Sequence, residues 1–131
     1  MNPNENLLFQ VSVKGLHFND KGELLMIQED TQKWELPGGR IQANESFIEC
    51  LKRECLEETG LDCEILEPQP AVVYPTIDQE GKGRIMVFFK IKFNSLDFIK
   101  SDECTAIKFY PKDEIPELDS YPQLKPLLQY L

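Results

Sequence analysis

Four glutamates and an arginine, Glu45, Arg53, Glu54, Glu57 and Glu58, lie between Gly39 and Gly60. Carboxylates at this spacing can gather a hard divalent cation, which prefers oxygen ligands and in the case of magnesium usually shares them with substrate phosphates. Arg53 lies four residues from both Glu49 and Glu57, close enough on a helix to pair with either and orient it. Seven fixed identities in one frame would arise by chance about 10⁻⁸ times per start point at ordinary residue frequencies. The acidic bias of the chain raises that figure only modestly.

A helix must carry these groups. Ser46 and Glu49 form an S-x-x-E capping box ahead of apolar residues at helical spacing, and Gly60 supplies the stop. The predicted helix runs from about Phe47 to Thr59. At about 100° per residue, Phe47, Cys50, Leu51, Glu54 and Glu58 share one face, with Glu57 at its edge. Glu49, Lys52, Arg53 and Leu56 lie more to the other side. An ordinary amphipathic helix keeps its glutamates opposite the apolar stripe. Here Glu54 and Glu58 prolong that stripe and point towards the protein, where acids must protonate or find cations. The bland alternative, a solvated Glu-rich helix end, fits this orientation and the flanking glycines poorly.

Around the helix the pattern is mostly extended. Leu7–His17 reads as a strand, 19–22 as a turn, Glu23–Gln28 as a second strand and 30–33 as a polar break. Trp34-Glu-Leu-Pro-Gly-Gly leads into the acidic segment as a short strand and loop. Leu61–Val73 is expected to be mostly strand, interrupted near Pro68 and Pro70, Thr76–Lys82 a polar loop, Arg84–Phe93 an apolar strand and Cys104–Tyr110 the last strand. Lys112–Leu118 and Tyr121–Leu131 read as short helical or turn segments broken by Pro116, Pro122 and Pro126. Strands around one long helix make this an α+β chain.

With 131 residues and 41% hydrophobic content, a single domain over 1–131 with one real core is expected. No repeat or linker divides it. There is no apolar run of membrane-span length, and the polar start Met1-Asn-Pro-Asn-Glu does not read as a signal peptide, so a cytoplasmic location is the default expectation. Cys50, Cys55, Cys63 and Cys104 form no C-x-x-C pair, and the single His17 completes no zinc set, which leaves them as reduced structural thiols. A net charge of −9 argues against sequence-independent binding to a nucleic-acid polymer. A small anionic substrate is compatible with that charge if metal ions neutralise the site locally.

Gly39, Glu45, Arg53, Glu54, Glu57, Glu58, Gly60 and Leu61 resemble, position by position, the G-x5-E-x7-R-E-U-x-E-E-x-G-U box of the Nudix hydrolases, where U is a bulky aliphatic residue. Cys55 stands at the first U, a departure that bears on packing more than on chemistry. The resemblance implies an α/β/α sandwich with a mixed sheet and one long catalytic helix. It implies Mg²⁺ (or Mn²⁺) held by Glu54, Glu57 and Glu58, with a loop carbonyl at Gly38 or Gly39 as a further ligand. In the same terms Arg53 orients a metal-binding carboxylate. Glu45 either complements the positive helix N-terminus or supports the metal site. Dimers are common in the family.

The activity implied is hydrolysis of a nucleoside diphosphate linked to another moiety, by attack of water at phosphorus. Whether Glu54 binds metal or accepts the proton of that water stays open. An additional acid is expected beyond the box, with Glu103 the leading candidate and Asp102, Asp78 and Glu80 its competitors, each of which could equally be a solvated loop acid. Trp34 could stack on a base or simply fill the core, and Tyr74-Pro75 reads most simply as a strand end. Two alternatives remain. A non-enzymatic nucleotide sensor would keep the fold, although such proteins usually lose a box glutamate. Isopentenyl-diphosphate isomerisation needs cysteine and histidine metal chemistry for which one histidine is too few.

Overall fold

A computed structural model describes residues 8–131, so Leu7 and the first six residues lie outside the described part of the chain. Eight strands and one α-helix follow in the order β1 (Phe9–Leu16), β2 (Leu24–Gln28), β3 (Trp34–Glu35), β4 (Gly38–Arg40), α1 (Phe47–Thr59), β5 (Cys63–Ile65), β6 (Val72–Ile77), β7 (Gly83–Phe93) and β8 (Ala106–Tyr110). Two 3₁₀ segments, Lys112–Glu117 and Pro122–Tyr130, close the chain.

β7 organises the larger sheet. It pairs parallel with β1 from Phe9↔Gly83 to Leu16↔Lys90, and antiparallel with both β5 and β6. β4 adds antiparallel to the outer side of β1, completing a mixed sheet. A smaller antiparallel sheet runs β3-β2-β8. Side chains alternate with the pleat. Val87, Phe89, Ile91 and Phe93 face the cluster containing Cys50, Leu51 and Cys55 of α1, whereas Met86 and Phe88 face Tyr74, Ile115, Leu124 and Leu127. β2 splits the same way, Leu25 and Ile27 to the α1 side and Leu24 and Met26 to the other. Sheet strands thus lie between α1 and the terminal 3₁₀ segments, the layering expected of the α+β sandwich. Burying each large apolar side chain contributes about 1.5–3 kcal/mol.

The extended stretch over Leu61–Val73 is interrupted where its prolines predict. β5 ends at Ile65, the chain turns through a segment containing Pro68 and Pro70, and β6 continues through Pro75 to Ile77. Proline inside β6 is tolerated because this strand pairs on one side only, with β7. Tyr74-Pro75 is therefore mid-strand rather than a strand end. The polar loop shrinks to the turn after Ile77, where Asp78 accepts from the Glu80 and Lys82 amides. The last strand starts at Ala106, and Cys104 instead forms an isolated bridge with Ser101. All four cysteines are buried free thiols. No helix among the described residues is long and apolar enough to cross a membrane.

Candidate active site

α1 begins and ends as its sequence dictates. Ser46 Oγ accepts from the Glu49 amide and the Glu49 carboxylate from the Ser46 amide, a reciprocal box, while Gly60 closes the helix at φ 72°. Between these caps Cys50, Leu51, Cys55 and Glu58 are buried, Arg53 and Glu54 are half-buried, and Glu57 is exposed. Phe47, placed on the inward face from the sequence, is 41% exposed and only tilts against Phe89.

Arg53 gathers the charged groups. Its Nε donates to Glu45 Oε2 at 2.5 Å and its Nη2 to Glu45 Oε1 at 3.0 Å. Nη1 reaches Glu54 Oε1 at 3.1 Å and Glu57 Oε2 at 3.2 Å, and Nη2 also donates to the Arg40 carbonyl. The side-chain bonds to Arg53, with the Gln42 amide, hold the Glu45 carboxyl down at about 2. Of the two partners open to Arg53 along the helix, it takes Glu57. Glu49 is occupied by the cap.

The glycine pair brings β4 against this cluster. Gly38 has φ 127°, and a Cβ there would collide with the Val13 carbonyl oxygen and lie 2.8 Å from Lys14 Cα. Only glycine fits so close to β1 with that backbone. At Gly39 a Cβ would lie 2.5 Å from the Glu54 carboxyl carbon, so the missing side chain is the space in which that carboxylate sits. The Gly38 amide donates to Glu58 Oε1 at 2.8 Å. Burial pushes the Glu58 carboxyl up to about 8, with Lys14 and the Gly38 amide opposing the rise and Glu54 and Glu35 adding to it.

Three groups absent from the sequence-based candidates complete the surroundings. Lys14 of β1 is buried and donates from Nζ to the carbonyls of Gly38 (3.1 Å) and Leu36 (3.4 Å), with Glu35 Oε1 at 3.6 Å. Burial alone would lower the Lys14 ammonium, but the carboxylates around it, Glu35 foremost, hold it above its ordinary value. Arg84 of β7 donates to Asp78 Oδ2 at 3.0 Å and Ser12 Oγ at 3.1 Å. A cleft of about 380 Å³ is lined by Glu54, Gly39, Lys14, Arg84, Glu29 and Gln123, among others. Gln123 Oε1 is buried without a hydrogen-bond partner among the described residues. The one visible signal for Lys14 was a cation inside an apolar strand. Arg84 shows only as a charge at the head of β7.

The remaining candidates fall elsewhere. Glu103 is exposed in the turn of Ser101–Cys104 and does not line the cleft; its neighbour Ser101 reaches the Glu58 carbonyl at 3.5 Å. Asp102 is likewise exposed, and Asp78 is taken up by its turn and Arg84. Glu80 is exposed and meets Lys82 at 3.5 Å. Trp34 packs edge-on against Tyr110 as a core residue. Tyr74 is buried, its hydroxyl donating to the Gln123 carbonyl. A separate cavity of about 390 Å³ around His17, Lys90 and Lys92 contains none of the candidates. His17 is a satisfied core residue there, accepting the Phe93 amide on Nδ1.

Among the described residues no three acidic, histidine or cysteine side chains already close around one point, because the helix carboxylates are taken up by Arg53 and the Gly38 amide. The donor set nevertheless suits a hard divalent ion. Glu54, Glu57 and Glu58 recur along one helix, and the room above Gly39 admits the Glu54 carboxylate.

The mixed sheet, the capped acidic helix and the glycine pair beneath it define a Nudix fold. A family model of the NUDIX domain matches residues 8–131, and the chain belongs to the Nudix hydrolase family. It is 32% identical over 111 residues to a MutT-like protein of Streptomyces ambofaciens, covering 84% of this chain and 69% of that protein. It is 39% identical over 112 residues to the human 8-oxo-dGDP phosphatase NUDT18, covering 79% of this chain and 33% of that protein. The chain spans 16% to 33% of the length of the NUDT18 relatives it matches. In fold it is similar to the E. coli ORF135 protein, with a TM-score of 0.75 at 21% identity over 95% of this chain and 89% of that one.

Proposed function

We propose that this chain is a Mg²⁺-dependent (or Mn²⁺-dependent) pyrophosphohydrolase that cleaves a nucleoside diphosphate linked to another moiety. The observation that carries the reading is the Glu54 carboxylate seated over Gly39 in a cleft shared with Arg84 and Lys14. Glu54, Glu57, Glu58 and a carbonyl of the Gly38–Gly39 segment would hold the cation. When bound it would neutralise the phosphates and acidify the attacking water.

The protein's own groups do the rest. Arg53 holds Glu54 and Glu57 in register and is itself clamped by Glu45. Glu54 Oε1 is tied to Arg53, while Oε2 has no hydrogen-bond partner among the described residues, leaving Glu54 open either to join the cation or, in place of that, to accept a proton from water. The water oxygen bonds to phosphorus and the bridging P–O bond breaks. The products are a nucleoside monophosphate and either a phosphorylated remainder or inorganic pyrophosphate. Arg84 at the cleft supplies positive charge for a phosphate oxygen.

At the same cleft, Glu29 and Gln123 Oε1 offer acceptors. Acceptors favour a base edge rich in N–H donors. An oxidised guanine has one more such donor than guanine, and the human relative is named for 8-oxo-dGDP. Oxidised purine nucleotides therefore head the substrate panel, followed by nucleoside triphosphates and nucleotide sugars. The test is a Mg²⁺-dependent hydrolysis screen with chromatographic identification of products and Glu57→Gln as the control. Turnover of one class, lost in the variant, is expected. Binding without turnover across the panel would replace the enzyme with the sensor reading.

A further inference from the structure

Gly38 is gripped at both ends by charged side chains: its amide donates to Glu58 on α1, and its carbonyl accepts from Lys14 on β1. These two bonds lie on either side of the Gly38 φ and ψ angles. They hold the residue at φ 127°, a conformation other residues rarely adopt. The Gly38 carbonyl is thereby turned to Lys14 and the Glu58 carboxylate to the Gly38 amide, while the next carbonyl, that of Gly39, accepts from Cys50 Sγ at 3.6 Å. Lys14 also holds the preceding loop through the Leu36 carbonyl, and Glu35 lies 3.6 Å from its ammonium.

We infer that Lys14 is a positioning residue for divalent-cation binding, acting through the Gly38–Gly39 backbone. The inference deepens the metal-dependent reading above and rests on it. A buried ammonium near a cation site repels the cation, so if charge were all that mattered, removing Lys14 would tighten metal binding. If Lys14 instead sets the backbone donors and Glu58, removing it loosens binding, as loss of an orienting partner does, by about 10- to 100-fold.

Loss of Lys14 alone strands Glu35, which burial already pushes upward and which Lys14 offsets. The discriminating variant is therefore Lys14→Met/Glu35→Gln, compared with Glu35→Gln alone, which keeps Lys14 and its carbonyl bonds. The probe is Mn²⁺ by itself, with free ion counted by electron paramagnetic resonance during titration and thermal unfolding of the metal-free proteins run in parallel. Expected are wild-type affinity within a few-fold for Glu35→Gln, at least about 10-fold weaker binding for the double variant, and cooperative thermal unfolding of both, which shows that each is folded in the titration. Equal or tighter Mn²⁺ binding by the double variant overturns the inference. Should that variant not fold, Lys14→Gln/Glu35→Gln puts a polar but shorter side chain in its place and is read the same way. Wild-type protein that fails to bind Mn²⁺, or that binds it no better than Glu57→Gln, brings down the metal reading itself and this inference with it.

Discussion

Arg53 and Glu45 make two parallel hydrogen bonds, Nε to Oε2 at 2.5 Å and Nη2 to Oε1 at 3.0 Å, across the break between the β4–α1 loop and the helix. This fork geometry is available to arginine and not to lysine. It leaves Nη1 free to hold Glu54 and Glu57 together. Replacing Arg53 with Lys keeps the charge and loses the fork. We expect kcat to fall about 100-fold, the loss typical of slight misplacement of reacting groups, with circular dichroism unchanged. An Arg53→Lys enzyme with wild-type kcat would show that the fork does not position the carboxylates.

The two glycines should respond differently to a methyl group. Gly39→Ala pushes against a movable carboxylate, Glu54, whereas Gly38→Ala meets the backbone of Val13 and Lys14 at a positive φ. Gly39→Ala is expected to fold and lose most activity. Gly38→Ala is expected to lose several degrees of melting temperature or not to fold. Thermal melts beside rate assays separate the two, and an active Gly39→Ala enzyme would contradict the placement of Glu54.

Glu58 gives the metal-free protein an unusual pH dependence. Its carboxyl ionises near an ordinary 4.5 when unfolded but at about 8 when folded, so from pH 4.5 to 8 the folded state holds the extra proton and stability falls as pH rises. The change amounts to as much as roughly 5 kcal/mol. Below pH 4.5 the sign reverses through Glu45, whose folded value near 2 means stability is lost as acid protonates it. Urea melts of metal-free protein should peak near pH 5. Glu58→Gln should flatten the alkaline slope, and an unaltered slope would exclude Glu58 as its source.

The Lys14–Glu35 pair is buried on both sides, with side-chain exposures of 9% and 6%. Removing one member of such a pair leaves an uncompensated charge and costs about 3–5 kcal/mol, whereas replacing both is close to neutral. Lys14→Met should therefore destabilise strongly, and Lys14→Met/Glu35→Leu should recover most of the loss. A double-mutant cycle by urea unfolding measures the coupling, and additive losses would mean that the two side chains are independent.

Local order in the chain is enough to specify α1. Its capping box, its glycine stop, the inward turn of Glu54 and Glu58, and the adjacency of Arg53 to Glu57 all depend on spacings of eight residues or fewer, which a helix converts directly into neighbours. The glycine pair was readable as a place of unusual backbone, and β1, β2 and β7 as strands, because apolar residues and turn residues carry that information locally. The break near Pro68 and Pro70 between β5 and β6 was legible too, but the run of β6 through Pro75 was not, since Pro75 lies in a strand only because β6 has a free edge.

Tertiary structure decided the surroundings of the acidic helix. Lys14 meets Gly38 across 24 positions and Arg84 meets Ser12 across 72, both through the parallel pairing of β1 with β7 and the antiparallel addition of β4. No short-range pattern encodes which strand lies beside which. The same holds for Glu103, whose position before the last strand looked suitable yet lies in an exposed turn outside the cleft. The sequence alone placed Glu54, Glu57 and Glu58 on one helix. Strand pairing decided what surrounds them, Gly38 against Glu58 and Lys14 and Arg84 at the cleft, because contacts between distant segments exist only once the sheet has formed.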